Sequence, residues 1–295
     1  MINGIDVSHY DEFNWDAIRP LVLPCNLYFS FAKASEGVGH PDRLYDRHRS
    51  GAAMTGLLHG AFHFFLPTED IAAQVRAFAN QAGALRAGDL PPTVDIEWCK
   101  VEKNGRILRP ELWDRLTPVR RIEVSLAILR EVEDRFGRRP MVYTHPTFWA
   151  DYILSNNRPA SYAPFADYPL WLVDLRGGAK VPRPWRAAAF VQVHFGESAP
   201  DGAPLFERLD QDHYDGDLKG LLSLTTTGLV FDKDHTPVCS IIRDLQQTLK
   251  NRGFYTDTPD GDFGPNTERA ARDFQQSVGL SATGVIDEPT WRALL

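Results

Sequence analysis

Two acids at two-residue spacing, Asp95 and Glu97, carry the clearest chemical signal in this chain. They lie in residues 91–98, a short apolar run that predicts a buried strand. Alternate residues of a strand point to the same side, so both acids would face one space, about 6.6 Å apart along the backbone. Paired carboxylates serve glycoside hydrolysis, in which one group protonates the leaving oxygen and the other stabilises or attacks the oxocarbenium centre. An exposed acidic strand end would show the same spacing, so the rest of the chain must decide.

Strand-like and helical patterns alternate through residues 1–222, which predicts an α/β fold. Apolar runs predict eight strands, at 4–7, 27–34, 57–65, 93–98, 140–144, 170–175, 188–195 and 205–210. Helical spacing predicts helices at 43–54, 69–85 and 118–136. Later connections contain more Pro and Gly, so we expect an irregular TIM-like barrel with eight strands and about five helices.

In such barrels the chemistry lies at the carboxyl ends of the strands. Asp6 lies at the end of the first predicted strand, Asp95 and Glu97 on the fourth, and Asp210 at the end of the eighth. The first and last strands of a closed barrel are neighbours. We therefore expect these four acids to meet in one site.

The composition changes at residues 223–237, which predict a linker rich in Thr and Asp. Beyond it, residues 238–295 predict a small three-helix bundle. Its segment 260–270 is echoed by 283–293, each a glycine turn followed by Pro near a helix start.

Composition excludes several classes of protein. A formal charge of -7 argues against a nucleic-acid binder. No apolar run is long enough to span a bilayer, so we expect no membrane insertion. Residues 1–6 show no secretory signal peptide, which predicts synthesis in the cytoplasm without such a leader. Three widely spaced cysteines, Cys25, Cys99 and Cys239, suit reduced thiols.

Several sequence blocks resemble family 25 of the glycoside hydrolases, the muramidases, over about residues 2–222. The blocks, in family order, are Gly4-Ile5-Asp6-Val7-Ser8, Phe31-Ala32-Lys33-Ala34-Ser35-Glu36-Gly37, Gly60-Ala61-Phe62-His63-Phe64, Val94-Asp95-Ile96-Glu97, Pro169-Leu170-Trp171-Leu172 and Leu209-Asp210-Gln211-Asp212-His213-Tyr214-Asp215-Gly216. The C-terminal unit resembles the common peptidoglycan-binding domain through Asp260-Gly261-Asp262-Phe263-Gly264-Pro265-Asn266-Thr267 and Phe274-Gln275.

The resemblance implies cleavage of the β-1,4 bond between N-acetylmuramic acid and N-acetylglucosamine in bacterial peptidoglycan. It implies Glu97 as general acid, Asp95 as its partner, and Asp6 and Asp210 as the remaining acids of the site. Whether the anomeric configuration is retained or inverted does not follow from strand spacing. No cofactor is implied.

Candidates for substrate binding surround these acids. Tyr143 and Trp171 lie at predicted strand ends and could line the cleft, since sugars stack on aromatic faces. Gln192 could hydrogen-bond to substrate. Phe62 stands where the family usually has Tyr, which would remove a hydroxyl contact.

Two rival functions fit parts of the chain. His59 and His63, four residues apart, could be ligands of a zinc-dependent peptidoglycan amidase or peptidase. A wall-binding protein with an inactive barrel is the second rival, although four acids kept together argue against it because their repulsion costs stability.

We therefore predict a monomeric peptidoglycan hydrolase that acts at the cell wall, in the periplasm or outside the cell. A phage endolysin, an injected effector with an immunity protein as partner, and an autolysin exported by another route all fit the sequence.

Overall fold

The computed structural model describes residues 1–200 and 202–295. Its strands are β1 (Ile2–Val7), β2 (Leu27–Glu36), β3 (His40–Pro41), β4 (Leu58–Phe64), β5 (Thr93–Asp95), β6 (Val101–Lys103), β7 (Arg106–Arg109), β8 (Met141–Thr144), β9 (Leu170–Val173), β10 (Phe190–His194) and β11 (Asp210–Tyr214). The order β1-β11-β10-β9-β8-β5-β4-β2 closes on itself through pairing of β1 with β2. The predicted eight-stranded barrel is thus confirmed, with β3 added beside β2 and a separate hairpin, β6-β7, beyond β5.

Helices cover the outside of the barrel and form the C-terminal unit. They are α1 (Tyr45–Met54), α2 (Ile71–Ala82), α3 (Pro118–Phe136), α4 (Pro146–Phe148, continued by π-helical Trp149–Leu154), α5 (Pro159–Tyr162), α6 (Leu218–Ser223), α7 (Ser240–Asn251), α8 (Pro265–Ser277) and α9 (Glu288–Leu294). Long helices are concentrated in the first half of the barrel, as the sequence predicts. Among the described residues, none of these helices has both the length and the apolar character that a bilayer span requires.

The longest helix, α3, has the bounds that its sequence predicts. Thr117 caps its start by accepting a hydrogen bond from the Arg120 backbone N–H, and Pro118 occupies the first turn. Gly137 ends it in the left-handed conformation with a φ of 65°. Between these caps, the apolar side chains of α3, among them Ile122, Leu126 and Leu129, are buried in the core.

Aromatic rings fill the interior of the barrel, where Phe29, Phe31 and Phe190 pack with centroids 4.9 to 5.5 Å apart. Glycines on neighbouring strands make room for them. A Cβ at Gly4 would lie 2.1 Å from the Phe29 ring, and one at Gly60 would lie 2.3 Å from the Phe31 ring. This packed floor closes the barrel beneath its carboxyl end.

The prediction of an eighth strand at 205–210 is wrong. Leu205–Arg208 form a short 3-10 helix that follows Pro204, and the strand is Asp210–Tyr214 instead. This strand runs antiparallel to both of its neighbours, β1 and β10. Asp210 therefore begins its strand rather than ending it, yet the reversed direction places it at the carboxyl end of β1, opposite Asp6.

The chain between barrel and bundle, residues 224–239, is hydrogen-bonded to both units. The Thr226 backbone N–H donates to the Asp89 carbonyl at 2.7 Å, and Arg138 donates to the Thr225 carbonyl at 3.1 Å. Phe231 pairs with Ile286 of the bundle as an isolated β-bridge. The two units are thus connected by a bound segment.

The bundle docks against the amino end of the barrel. Arg243 of α7 donates to the Leu23 carbonyl at 3.0 Å and to Asn26 Oδ1 at 2.8 Å, and the Tyr28 hydroxyl donates to Asp244 at 2.5 Å. These barrel residues lie before or at the start of β2. Contact is therefore made on the side opposite the carboxyl ends of the parallel strands.

Candidate active site

A cleft of about 380 Å³ opens at the carboxyl end of the barrel. All eight residues that the sequence predicts for the site line it: Asp6, Phe62, Asp95, Glu97, Tyr143, Trp171, Gln192 and Asp210. They come from seven strands and the turn after β5. Barrel closure therefore gathers side chains that lie more than 200 positions apart in the sequence.

Asp95 and Glu97 lie where β5 leaves the sheet. Asp95 is the last residue of the strand, and the Ile96 N–H still donates to the Tyr143 carbonyl at 2.9 Å. The indole N–H of Trp113 donates to the Glu97 carbonyl at 2.8 Å, which fixes the backbone of Glu97 just beyond the strand. Asp95 is buried and Glu97 is half-buried, so Glu97 is the more accessible acid.

Burial sets the protonation of this pair. Burial, opposed by the charge of Lys33 and assisted by that of Glu111, raises the pKa of Glu97 to about 7. Burial, followed by the charge of Glu97, raises the pKa of Asp95 well above its ordinary value. Glu97 thus holds a proton at slightly acidic pH and can release it near neutrality, as a general acid must.

A second acid pair, Asp6 and Asp210, is joined by Gln192. The Gln192 amide donates to Asp6 at 2.6 Å and to Asp210 at 3.1 Å, and its carbonyl oxygen accepts from the Tyr143 hydroxyl at 2.6 Å. The Gly196 N–H donates to the other oxygen of Asp210 at 2.7 Å. Gln192 is 1% exposed, so it orders the acids from beneath the cleft.

The acids of β1 and β11 also have raised pKa values. Burial raises the pKa of Asp6 strongly, and the charges of Asp210 and Asp212 add to the shift. Burial raises the pKa of Asp210 to about 6, against the hydrogen bond from Gly196. This side of the cleft therefore gains negative charge only as the pH approaches neutrality.

Aromatic rings form the floor of the cleft. Trp171 stacks on Phe31 with centroids 4.3 Å apart, and Tyr143 and Phe62 meet it at 4.7 and 6.1 Å. The indole N–H of Trp171 donates to Asp212 at 2.8 Å. The floor is rigid because its largest ring is both stacked and hydrogen-bonded.

Sequence reasoning missed several residues that line the cleft: Ser8, Tyr10, Asp11, Lys33, Phe64, Phe195, Glu197 and Arg208. Lys33 could have been predicted from the sequence, because it lies near the carboxyl end of β2 just as Asp95 lies at the carboxyl end of β5. Glu197 and Arg208 lie on short turns between strands and had no such signal.

The histidines of the zinc hypothesis face the barrel's outer layer. Both ring nitrogens of His63 lie near protein partners, Ser35 at 2.9 Å and Gln74 at 3.3 Å. His59 Nε2 lies 3.1 Å from the Tyr45 hydroxyl. Within residues 1–200 and 202–295, no group of three His, Cys, Asp or Glu side chains is placed to hold a metal ion.

Family models match both units of the chain. The model described as glycosyl hydrolases family 25 matches residues 5–194, and the model of a putative peptidoglycan binding domain matches residues 240–294. The first match covers more than half of the chain and spans most of the barrel.

Individual proteins show the same likeness. An uncharacterized protein of Escherichia coli, YegX, is 31% identical over 173 residues, which are 58% of this chain and 55% of that protein. An autolytic lysozyme of Clostridium acetobutylicum is 26% identical over 285 residues, 95% of this chain and 74% of that one. The structure of a bacterial lysozyme from Streptomyces coelicolor matches with a TM-score of 0.63 at 22% identity, covering 76% of this chain and 96% of that one, which shows a shared fold. The chain thus spans about half the length of the first of these relatives.

Proposed function

The chain belongs to family 25 of the glycosyl hydrolases, and on that premise we propose that it hydrolyses the glycan of bacterial peptidoglycan. The bond cut is the β-1,4 linkage between N-acetylmuramic acid and N-acetylglucosamine. The observation that supports this most is the placement of Glu97, with a pKa of about 7, beside Asp95 in an open cleft.

In the proposed mechanism, the neutral Glu97 donates its proton to the glycosidic oxygen as the bond from that oxygen to the anomeric carbon breaks. Positive charge develops on the sugar, and Asp95 stabilises it or orients the group that attacks the anomeric carbon. The oxygen of a water molecule then bonds to the anomeric carbon and one of its protons passes to the ionised Glu97, which restores the acid and leaves a new reducing end. Asp6 and Asp210, ordered by Gln192, bind the sugar across the cleft.

The aromatic floor supports the same proposal. Tyr143 and Phe62, each 8% exposed, offer apolar contact to a sugar ring, and the buried Trp171 supports them from beneath. The acids at the rim accept hydrogen bonds from the sugar hydroxyls. Phe62 has no hydroxyl and therefore contributes packing alone.

We assign residues 1–222 to the hydrolytic barrel, 223–237 to the connection and 238–295 to wall binding. The match of 240–294 to a putative peptidoglycan binding domain supports the last assignment. A binding unit raises the local concentration of the barrel at an insoluble substrate.

The chain is proposed to act at the cell wall as a monomer. Neighbouring genes distinguish the delivery routes, since a holin gene would indicate a phage endolysin and an immunity gene would indicate an effector.

Mass spectrometry of digested sacculi tests the cleavage. New reducing ends on N-acetylmuramic acid are expected, in the presence of a chelator as well as in its absence. Ends on N-acetylglucosamine, or free stem peptides released only without chelator, would contradict the proposal, the latter in favour of a zinc amidase.

The rate of cleavage is expected to fall as the pH rises through about 7. Burial raises the pKa of Glu97 from 4.5 to about 7, so the proton that it must donate is lost in this range. Above the midpoint, kcat should decrease about tenfold per pH unit, because the protonated fraction does so. Rates on soluble glycan strands from about pH 5 to about pH 9 check this expectation, and a flat profile would assign the acid to another group.

A chain ending at Thr227 is expected to cleave soluble glycan strands at an unchanged rate but to lose retention on intact sacculi by at least about tenfold. This end point keeps the bonds of Thr226 to Asp89 and of Arg138 to residues 224–225. Cosedimentation with sacculi measures retention, and the soluble assay verifies the fold. Equal retention of the full and shortened chains would refute wall binding by the bundle.

A further inference from the structure

A second cavity, of about 450 Å³, adjoins the active-site cleft and shares two lining residues with it, Tyr10 and Lys33. The Tyr10 ring is 83% exposed and rests against the His9 ring, with centroids 4.0 Å apart. We call this cavity the cationic lobe, bounded by Tyr10, Lys33, Arg43 and Arg109. It continues the cleft beyond the reacting acids.

The cationic lobe has an excess of positive charge. Its lining includes three basic side chains, Lys33, Arg43 and Arg109, and two carboxylates, Glu36 and Asp42. Glu36 accepts from Lys33 at 2.6 Å and also from Arg109. Burial alone would raise the pKa of Glu36, but these two cations lower it to about 2, so Glu36 is ionised and fully paired.

Asp42 is also engaged within the protein. One of its oxygens lies 2.8 Å from both the ring and the backbone nitrogen of His9, and the other accepts from the Leu44 N–H at 2.9 Å. Asp42 is only 4% exposed. Arg43, by contrast, has 59% of its side chain exposed, donates to the His9 carbonyl and lies 3.5 Å from Glu12.

The active-site cleft has the opposite balance. Six acids line it, Asp6, Asp11, Asp95, Glu97, Glu197 and Asp210, against the cations Lys33 and Arg208. Once Asp210 and Glu97 ionise, near neutral pH, charge therefore changes sign over the short distance from the reacting acids to the cationic lobe. A ligand with a neutral part and an anionic part would be oriented by this change.

The sugar rings of peptidoglycan are neutral, and the peptide on N-acetylmuramic acid bears the carboxylates. We propose that the cationic lobe binds the carboxylates of this peptide, and so selects the peptide-bearing sugar for the position whose glycosidic bond is cut. The inference rests on the proposed function. It adds that the cationic lobe decides which of the two sugars has its glycosidic bond beside Glu97.

Binding to the Glu97→Gln chain tests the inference, because this variant should bind the ligand without consuming it. The probes are a soluble disaccharide-tetrapeptide, with N-acetylmuramic acid as its peptide-bearing sugar, and the same molecule with its peptide carboxylates converted to methylamides. Calorimetry is expected to give about tenfold weaker binding of the methylamide, a ratio that shrinks in roughly 0.5 M salt. Equal affinities for the two probes would overturn the proposal.

Two further variants in the same background locate the effect. Arg43→Gln and Arg109→Gln are each expected to narrow the affinity ratio from about tenfold to about threefold. Arg109 also donates to the Cys99 carbonyl, so its loss can loosen the β6-β7 hairpin, whereas Arg43 has no such role. Arg120→Gln, at an exposed position on α3, is the matched control and should keep the full ratio. A full ratio in both lobe variants would overturn the proposal.

These outcomes are separable from failure of the proposed function. If the wild-type chain released no reducing ends from sacculi, the hydrolase assignment would fail. The affinity ratio of the two probes would still report whether the cationic lobe binds carboxylates. Cleavage together with equal affinities would overturn the lobe alone.

Discussion

Replacing Glu97 by Gln is expected to lower the rate of glycan cleavage by about a thousandfold, since general acid catalysis contributes roughly 10² to 10⁴. Gln has nearly the same shape but no proton to donate at this position. The rate of reducing-end release from soluble glycan strands measures the effect. Glu102→Gln, the same change on the exposed hairpin, is the matched control and should keep the wild-type rate. Substantial turnover by the Glu97 variant would move the acid to another residue.

The same variant should be more stable than the wild-type chain at alkaline pH. The pKa of Glu97 is raised from 4.5 to about 7 in the folded state, so ionisation of this acid opposes folding. The stability that the wild-type chain gains from holding this proton is fully present below pH 4.5 and is lost as the pH rises through about 7. Urea denaturation should show equal stabilities near pH 4 and a gain of about 1 to 3 kcal/mol for the variant near pH 8. An inactive variant that is less stable at both pH values would indicate a damaged fold instead.

Replacing Asp95 by Asn is expected to lower kcat by about a hundredfold or more, because a carboxylate that faces developing positive charge is lost. The pH profile separates its role from that of Glu97. Residual cleavage by the Asp95 variant should still decline above about pH 7, since Glu97 remains the proton donor. Residual cleavage by the Glu97 variant should have no such decline. If Asp95→Asn abolished the alkaline decline, the roles of the two acids would be reversed.

The site could be predicted from sequence wherever a residue lies on a strand with a clear apolar pattern. Asp95 and Glu97 lie in a short buried run, and both reach the mouth of the barrel, but β5 ends at Asp95, so the predicted strand 93–98 is too long. The two-residue spacing indicates a common side of the strand, and both residues line the same cleft.

Asp210 lines the cleft, where the sequence predicts it, but the strand predicted to carry it there is wrong. The apolar pair Leu205 and Phe206 suggests a strand, but Pro204 and the short loop favour a 3-10 turn there. The true strand, β11, has mostly polar side chains, because one side carries the acids of the cleft. A polar strand at a functional site lacks the hydrophobic alternation on which strand prediction depends.

Contacts between distant segments were beyond sequence reasoning. Tyr28 and Asp244 are 216 residues apart and have no recognisable pattern in common, yet their hydrogen bond helps to fix the bundle. The cationic lobe is equally hidden, since Arg109 reaches it from a hairpin 73 positions beyond Glu36. Both features arise from tertiary packing of segments that are unremarkable by themselves.

The docking of the bundle at the amino end of the barrel has a consequence for how a cross-linked polymer would be hydrolysed. If the bundle binds the wall as proposed, it does so on the side of the barrel opposite the active-site cleft. The gripped strand and the severed strand would then differ, and hydrolysis would leave the anchor in place. Such an enzyme would cut several glycan strands within reach of one bound position and would not move processively along a single strand.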